Sequence, residues 1–106
     1  MKAVIAWWDL AGSPQTIASL REALHRDGTQ DWASLPGLVT KFWIADPTGP
    51  RWGAVMLFES AEHARRPLPP NRAAELIGGP PTVRLVADVE AFVAGPSTPG
   101  GDRPWP

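Results

Sequence analysis

Residues 38–60 read LVTKFWIADPTGPRWGAVMLFES, and this stretch decides the fold. Two apolar runs rich in β-branched and aromatic residues, Leu38–Ala45 and Trp52–Glu59, flank a short segment of Asp, Pro, Thr and Gly. Runs of this composition bounded by turn residues are typical of strands, and a short link between them pairs the strands antiparallel. The sequence therefore predicts a β-hairpin near the middle of the chain.

Before the hairpin, the sequence predicts one strand and one helix. The unbroken apolar run Ala3–Trp8 indicates a strand with both faces covered. Ser13 and Pro14 are typical of a helix start, and the apolar residues that follow recur at helical spacing. We expect a helix over residues 14–26, followed by a polar connection that contains Trp32.

After the hairpin, the sequence predicts a broken helix and a last strand. The prolines within residues 67–70 cannot continue a helix, because proline lacks a backbone N–H and clashes with the preceding turn. Helical composition resumes at Asn71, and Thr82–Val93 is typical of a strand. The order is the ferredoxin-like βαββαβ pattern, an α+β fold with a four-stranded antiparallel sheet. Residues 1–94 are expected to form one domain, and the Pro/Gly-rich residues 95–106 a flexible tail.

The strands are apolar on both faces, and this pattern predicts a partner. Phe42 lies beside Trp43, and Val55 beside Met56, so each strand turns large apolar side chains to both sides. Two helices cover only one face of a four-stranded sheet, and an exposed apolar face of that size favours association. We expect a homodimer in which two sheets pack face to face as a dimeric α+β barrel.

Composition excludes several functional classes. The formal net charge is -1 and no block of like charge occurs, so neither nucleic acid nor a membrane surface is an expected partner. The sequence has no cysteine, which excludes disulfides, thiolate nucleophiles and thiolate-held metals. The apolar run at the start is too short for an export signal or a membrane span, so we expect a cytoplasmic protein.

Several motifs of the chain occur in the order seen in one known family. The chain resembles the YdhR-type monooxygenases of the dimeric α+β barrel superfamily, which also holds the antibiotic-biosynthesis monooxygenases, in Pro36-Gly37-Leu38, Lys41-x-Trp43, Gly53 and Phe58-Glu59-Ser60. The resemblance covers residues 3–93. It implies a homodimer with a pocket between sheet and helices. It also implies chemistry that ranges over cofactor-free oxygenation of phenolic polyketides, haem breakdown and lactone isomerisation. The cofactor-free oxygenases carry an Asn and a Trp in their site, and the only asparagine here is Asn71.

Lys41 is the first candidate for catalysis. It lies in the middle of the second predicted strand, on the same face as Val39 and Trp43. An ammonium on an apolar face must extend to solvent, find a carboxylate or lose its proton. In a pocket it would bind an anionic or phenolate substrate. The alternative is an edge-strand charge that prevents sheet stacking, or a salt bridge to a carboxylate of a partner copy, at Asp88 or Glu90.

His63 is the second candidate. We expect it in the first turn of the second helix, where the helix dipole disfavours the imidazolium and keeps the ring neutral and basic. That position suits a general base, and the alternative is an exposed helix residue without chemistry. Two histidines with no carboxylate at i, i+4 spacing do not predict a metal site. No cofactor is expected, although a lone axial histidine is compatible with haem.

Tryptophan is unusually frequent, with six in 106 residues. Four of the six fall on predicted strands, and the simplest interpretation is that most of them belong to the core or to the dimer interface. Others would line a pocket, where flat indole rings stack on an aromatic ligand. Trp43, beside Lys41, is our first substrate-binding candidate, and Trp7, Met56 and Phe58 are the others.

Together these features predict a small-molecule enzyme that acts on an aromatic or polyketide-like substrate as a cofactor-independent monooxygenase. Trp43 would hold the ligand, Lys41 would stabilise developing negative charge and His63 would move protons. One alternative is a non-redox cyclase or isomerase of natural-product biosynthesis. Another is a dimer that binds a small ligand without catalysis, since all three ask for a dry apolar pocket with few polar groups.

Overall fold

The computed structural model describes residues 1–97, and its centre is one antiparallel sheet. The strands are β1 (Lys2–Asp9), β2 (Leu38–Asp46), β3 (Arg51–Phe58) and β4 (Val83–Asp88), in the sheet order β2-β3-β1-β4. β1 pairs with both β3 and β4, and β2 pairs with β3, always antiparallel. The predicted α+β fold with a four-stranded antiparallel sheet is confirmed.

The described residues also contain four short helices. They are α1 (Ile17–Asp27), α2 (Gln30–Ala33), α3 (Ala61–Arg65) and α4 (Arg72–Ile77).

Helix α1 begins later than the sequence predicts, because its capping box lies at Thr16 and not at Ser13. The Thr16 hydroxyl accepts from the Ser19 N–H at 3.0 Å, and the Ser19 hydroxyl accepts from the Thr16 N–H at 2.8 Å. Ser13 instead accepts from the N–H of Gln15 in the turn before the helix.

Helix α2 lies where the sequence predicts only a polar connection. It carries Trp32 inward, so that the indole is only 8% exposed and packs with Val4, Met56 and Phe58. A tryptophan in an otherwise polar segment gains stability by burying its ring, and one helical turn is enough to orient it. The predicted polar connection therefore contains a short helix.

The second helix is interrupted, as the prolines predict. α3 ends at Arg65 and α4 begins at Arg72. Each piece has its own N-cap, because the Ser60 hydroxyl accepts from the His63 N–H and the Asn71 amide oxygen accepts from the Ala74 N–H. The break thus fixes Asn71 at the start of a separate helix.

Strand β4 ends at Asp88, short of the predicted Val93. Its partner β1 begins at Lys2, which pairs with Asp88, and one further bond joins the Val89 N–H to the Met1 carbonyl at 3.0 Å. Beyond this bond, residues 90–93 meet no pairing partner among residues 1–97, so the ladder cannot continue. The strand predicted from composition alone was therefore longer than the strand that forms.

The core lies between the helices and one face of the sheet. The buried side chains of β1 and β3 alternate along each strand and share that face: Val4, Ala6, Trp8, Trp52, Ala54, Met56 and Phe58. Leu20 and Ala23 are the buried residues of α1. Trp8 also anchors the loop after α4, because its indole N–H donates to the Gly79 carbonyl at 3.1 Å.

The opposite face of the sheet is apolar and open. Phe42, Val55, Ile5 and Leu85 pair in register and form one row across all four strands. Phe42 is 48% exposed and Leu85 is 56% exposed. We call this row, with its neighbours on the same side of the sheet, the open face.

A charged group closes one end of the open face. The Arg51 guanidinium lies over the Trp7 ring, 4.4 Å from its centroid, and donates to Asp46 at 2.7 Å. This hydrogen bond lowers the pKa of the Asp46 carboxyl. Gly53 faces Trp7 across the ladder, and a Cβ there would lie 2.9 Å from the indole Cε3. The glycine therefore leaves room for the ring to lie flat on the sheet.

Residues 98–106, with Trp105 and most of the predicted tail, lie outside the described residues. Within residues 1–97, no helix is long and apolar enough to cross a membrane.

Candidate functional site

A small cleft opens between the sheet and the helices, near the edge strand β2. Its open volume is about 40 Å³, which is room for roughly three water molecules at about 10–15 Å³ each. Indole rings from the sheet and from α2, with aliphatic side chains of α1 and α4, surround one lysine. The lining residues are Leu20, Ala23, Leu24, Trp32, Lys41, Trp43, Trp52, Asn71, Arg72, Ala73 and Leu76.

Lys41 reaches this cleft because β2 turns it toward the helices. It pairs with Met56 of β3, and Trp43 pairs with Ala54, so both side chains lie on the core face. The Lys41 Nζ lies 3.1 Å from the centroid of the Trp32 ring and 4.6 Å from that of Trp43. The amine is thus held between two indole faces.

Within residues 1–97, no carboxylate pairs with this amine. The ion pairs within the described residues do not include Lys41. Burial lowers the pKa of the Lys41 ammonium to about 7, because a charged amine loses hydration in an apolar site. The indole faces act in the opposite direction, since each attracts a cation by about 1–2 kcal/mol. Near neutral pH the cleft therefore holds an amine that exchanges readily between its two protonation states.

Trp32 is the site residue that the sequence reasoning missed. It lies closer to the Lys41 Nζ than Trp43 does, although it comes from a segment predicted to be a connection. A signal was present, because a large aromatic residue in a polar stretch has to bury itself somewhere. The sequence gives no means of assigning it to the wall beside β2.

Asn71 and Arg72 bring polar groups to the side of the cleft formed by α4. The Asn71 oxygen caps α4, and the hydrogen bonds within residues 1–97 use none of its amide N–H groups, so these can donate to a ligand. Arg72 donates to Asp27 and to Glu75, each at 3.1 Å. Its charge is therefore matched, whereas that of Lys41 is not.

The other predicted substrate-binding residues lie elsewhere. Met56 and Phe58 belong to the buried cluster beneath Trp32 and do not line the cleft. Trp7 packs against Arg51 and Gly53 on the open face, across the sheet from Lys41. The structure thus brings Lys41 and Trp43 to the cleft, places Met56 and Phe58 in the core next to it, and places Trp7 on the opposite face.

His63 lies at helix α3 and does not line the cleft. Its Nδ1 is 2.8 Å from the Ser60 hydroxyl, and its ring rests on Gly37, where a Cβ would come within 2.1 Å of the imidazole Cδ2. Gly37 has a φ of +84°, a conformation that glycine adopts without strain. Since α3 has only five residues, both of its ends lie close to His63, and the predicted dipole effect has no clear direction there.

Metal and haem ligands are not gathered at the cleft. Residues 1–97 contain no group of three or more His, Asp or Glu side chains placed to hold a metal ion. The residues that line the cleft include no histidine, so they do not fit an axial haem ligand. What the lining offers is a desolvated amine, an amide donor and stacking surfaces.

No protein-family model matches this chain, and no curated protein matches it.

Proposed function

We propose that the chain is a small-molecule enzyme whose cleft binds a phenolic or polyketide-like substrate and oxygenates it without a cofactor. The observation that supports this proposal is the position of Lys41, whose amine has no ion-pair partner among residues 1–97 and lies between the faces of Trp32 and Trp43 in a small cleft. The size of the cleft favours a substrate that inserts a single ring or a short chain. The indole faces supply the stacking surface for that ring.

In the proposed reaction, Lys41 acts as the base. The neutral amine takes the proton of a phenol, and the resulting ammonium then stabilises the phenolate beside it. An amine with a pKa of about 7 suits this exchange at neutral pH, because a base is most effective when its pKa lies near the working pH. Asn71 is placed to donate a hydrogen bond to a second oxygen of the substrate or to reduced oxygen.

The electrons come from the substrate. A phenol with a free para position and one O₂ give a quinone and one water, so atoms and electrons balance without an external reductant. An electron-rich phenolate transfers electrons to O₂ far more readily than the neutral phenol does. The proton transfer to Lys41 would therefore control the rate.

The experiment uses 1-naphthol, which would give 1,4-naphthoquinone and water with one O₂. We expect saturable quenching of tryptophan fluorescence, oxygen consumption and quinone formation, with no product under argon. Lys41→Met should abolish turnover, and Lys2→Met should not, because Lys2 lies on β1, does not line the cleft and forms an ion pair with Asp88. Equal turnover in the two variants would contradict the proposal.

The role predicted for His63 is tested in the same assay. His63→Ala should retain turnover if Lys41 handles the proton, since His63 does not line the cleft. A loss of turnover comparable to that of Lys41→Met would restore the assignment of proton transfer to His63.

The second candidate function is a non-redox cyclase or isomerase, and the same lysine favours it. A base in such a cleft can remove an acidic C–H without any need for oxygen. Product formation under argon would select this reaction class over oxygenation. Saturable binding without any product would select the non-catalytic binding dimer.

We further propose that the domain is ferredoxin-like and pairs with a second copy as a dimeric α+β barrel. The sheet order and the position of the helices on one face support the first part, and the open face supports the second. A second sheet would remove Phe42 and Leu85 from water, each worth about 1–2 kcal/mol. Light scattering at micromolar concentration should give the mass of a dimer, and Leu85→Glu should give a monomer. A monomeric wild type would overturn this part.

A further inference from the structure

Lys41 has the surroundings of a nucleophilic amine as well as those of a base. It is one of only two lysines in the chain. The other, Lys2, pairs with Asp88 outside the cleft. A primary amine adds to a carbonyl carbon only when it carries no proton. An unpaired, desolvated lysine meets that condition better than a lysine held by a carboxylate.

The walls of the cleft favour completion of such an addition. Condensation of an amine with a carbonyl releases water, and a ligand that fills this small cleft between its indole rings and aliphatic side chains leaves little room for that water to return. The ring faces hold Nζ in position in either protonation state, because both an ammonium and an N–H of a neutral amine are attracted to an indole face.

The groups that face the amine narrow the class of carbonyl compound. The polar residues in the lining are Lys41 itself, Asn71 and Arg72, and none of the lining residues is a carboxylic acid. Arg72 is a cation engaged by Asp27 and Glu75, so it does not serve as a proton donor. The departing water needs a proton, and the described residues that line the cleft include no acid to give it. A 1,3-dicarbonyl compound brings its own donor, because its enol O–H lies beside the reacting carbonyl.

We propose that the Nζ of Lys41 forms a covalent enaminone with 1,3-dicarbonyl compounds that enter the cleft. The C–N bond forms as the carbonyl π bond breaks, and the carbonyl oxygen takes up a proton. The carbinolamine then loses water, and one C–H proton is lost to give the conjugated enaminone. Amine and diketone thus give enaminone and water, with no change in oxidation state. This inference rests on the proposed function in that the same cleft receives a polyketide-like substrate.

Acetylacetone is the probe for this reaction, used with the full 106-residue chain. We expect a new near-ultraviolet absorption band from the conjugated enaminone, and a mass increase equal to acetylacetone less one water. Peptide mapping should place the adduct on Lys41 and not on Lys2 or the terminal amine of Met1. The rate should rise with pH through the titration of Lys41 and level off above it.

Two variants give the matched controls. Lys41→Arg keeps a cation between the indole rings but has no nucleophilic amine, so the band should disappear while circular dichroism stays native. Lys2→Arg should keep the band. A band of equal size in Lys41→Arg, or an adduct mapped to Lys2, would overturn the inference.

The outcome separates this inference from the proposed function. Saturable 1-naphthol binding that requires Lys41, without an acetylacetone adduct, would overturn the covalent step and leave the oxygenase proposal standing. An adduct on Lys41 without 1-naphthol turnover would support the covalent chemistry and contradict oxygenation.

Discussion

The two faces of the sheet carry similar kinds of side chain in very different surroundings. On the helix-covered face, Phe58 is fully buried and Lys41 lies partly buried between two indole rings. On the open face, Phe42 is half exposed and Arg51 keeps a carboxylate partner in Asp46. An isolated charge in a covered site is unstable and hence chemically active, whereas a paired charge in an open site is not. Covering one face thus creates the candidate site.

The largest expected difference between the two faces is in the free energy of unfolding that is lost when a large side chain is truncated to alanine. Phe58→Ala should lower the free energy of unfolding by about 3–5 kcal/mol, because it leaves a cavity in the covered face. Phe42→Ala should cost at most about 1–2 kcal/mol in dilute solution, since half of its ring already meets water. Urea unfolding measures both values.

Repeating the unfolding measurement at several protein concentrations tests whether the open face pairs with a second copy. If the open face pairs with a second copy, the cost of Phe42→Ala should grow as concentration rises, whereas that of Phe58→Ala should stay constant. Equal costs for the two substitutions in dilute solution would mean that the faces do not differ as described.

The second prediction concerns the pH dependence of stability. Burial depresses the pKa of Lys41 from 10.5 to about 7, so between these values the unfolded chain binds more protons than the native one. Stability from this group is therefore fully present above the unfolded pKa and is lost as pH falls through about 7. Wild type should gain up to about 1.4 kcal/mol per pH unit relative to Lys41→Met above pH 7.

Thermal or urea unfolding from about pH 6 to pH 9 covers most of this window. Subtracting the Lys41→Met curve removes the contribution of the other titrating groups. A difference that does not change with pH would show that the lysine keeps its ordinary proton affinity.

The third prediction separates backbone strain from crowding. Gly37 and Gly12 both have positive φ, at +84° and +79°, but only Gly37 lies against a side chain, the ring of His63. Gly12→Ala should cost about 1 kcal/mol from the backbone alone. Gly37→Ala should cost about 2–3 kcal/mol, because His63 must also move. Similar losses of stability in the two variants would show that the His63 ring moves aside at little energetic cost.

The smallest expected effect is on ligand binding. Trp43→Phe should weaken 1-naphthol binding by roughly 2- to 10-fold, the equivalent of about 0.5–1.5 kcal/mol of aromatic contact. Trp7→Phe should leave binding unchanged, because Trp7 lies on the open face beside Arg51. Fluorescence titration of both variants gives the ratio. A larger loss from Trp7→Phe would move the binding site to the open face.

The sheet was largely predictable from the sequence because its signals are local. Each strand is a run of β-branched and aromatic residues bounded by turn residues, and the hairpin followed from its short link. The break between α3 and α4 followed from the prolines of residues 67–70, because proline inside a helix lacks the backbone N–H and clashes with the preceding turn. The end of β4 was not predictable in this way, because it depends on where its partner β1 begins.

The candidate site was predictable only where it lies on one strand. Lys41 and Trp43 share a face by the two-residue period of the strand, and the structure brings both to the cleft. Trp32 and Asn71 reach the same cleft from α2 and α4, and their positions depend on how those helices pack. Trp7 was predicted to bind substrate but lies on the open face. Strand periodicity alone does not say which of two apolar faces the helices will cover.

The most direct test of the account is the titration of Lys41 itself. With ¹³Cε-labelled lysine the chain gives two lysine signals, and Lys2→Arg assigns the one that belongs to Lys41. Burial of Lys41, which lowers its pKa to about 7, predicts a midpoint near pH 7 and a shift of this signal when 1-naphthol binds. A midpoint near the ordinary lysine value of about 10.4 would contradict it, since Lys41 would then be a solvated ammonium and no base for the proposed chemistry.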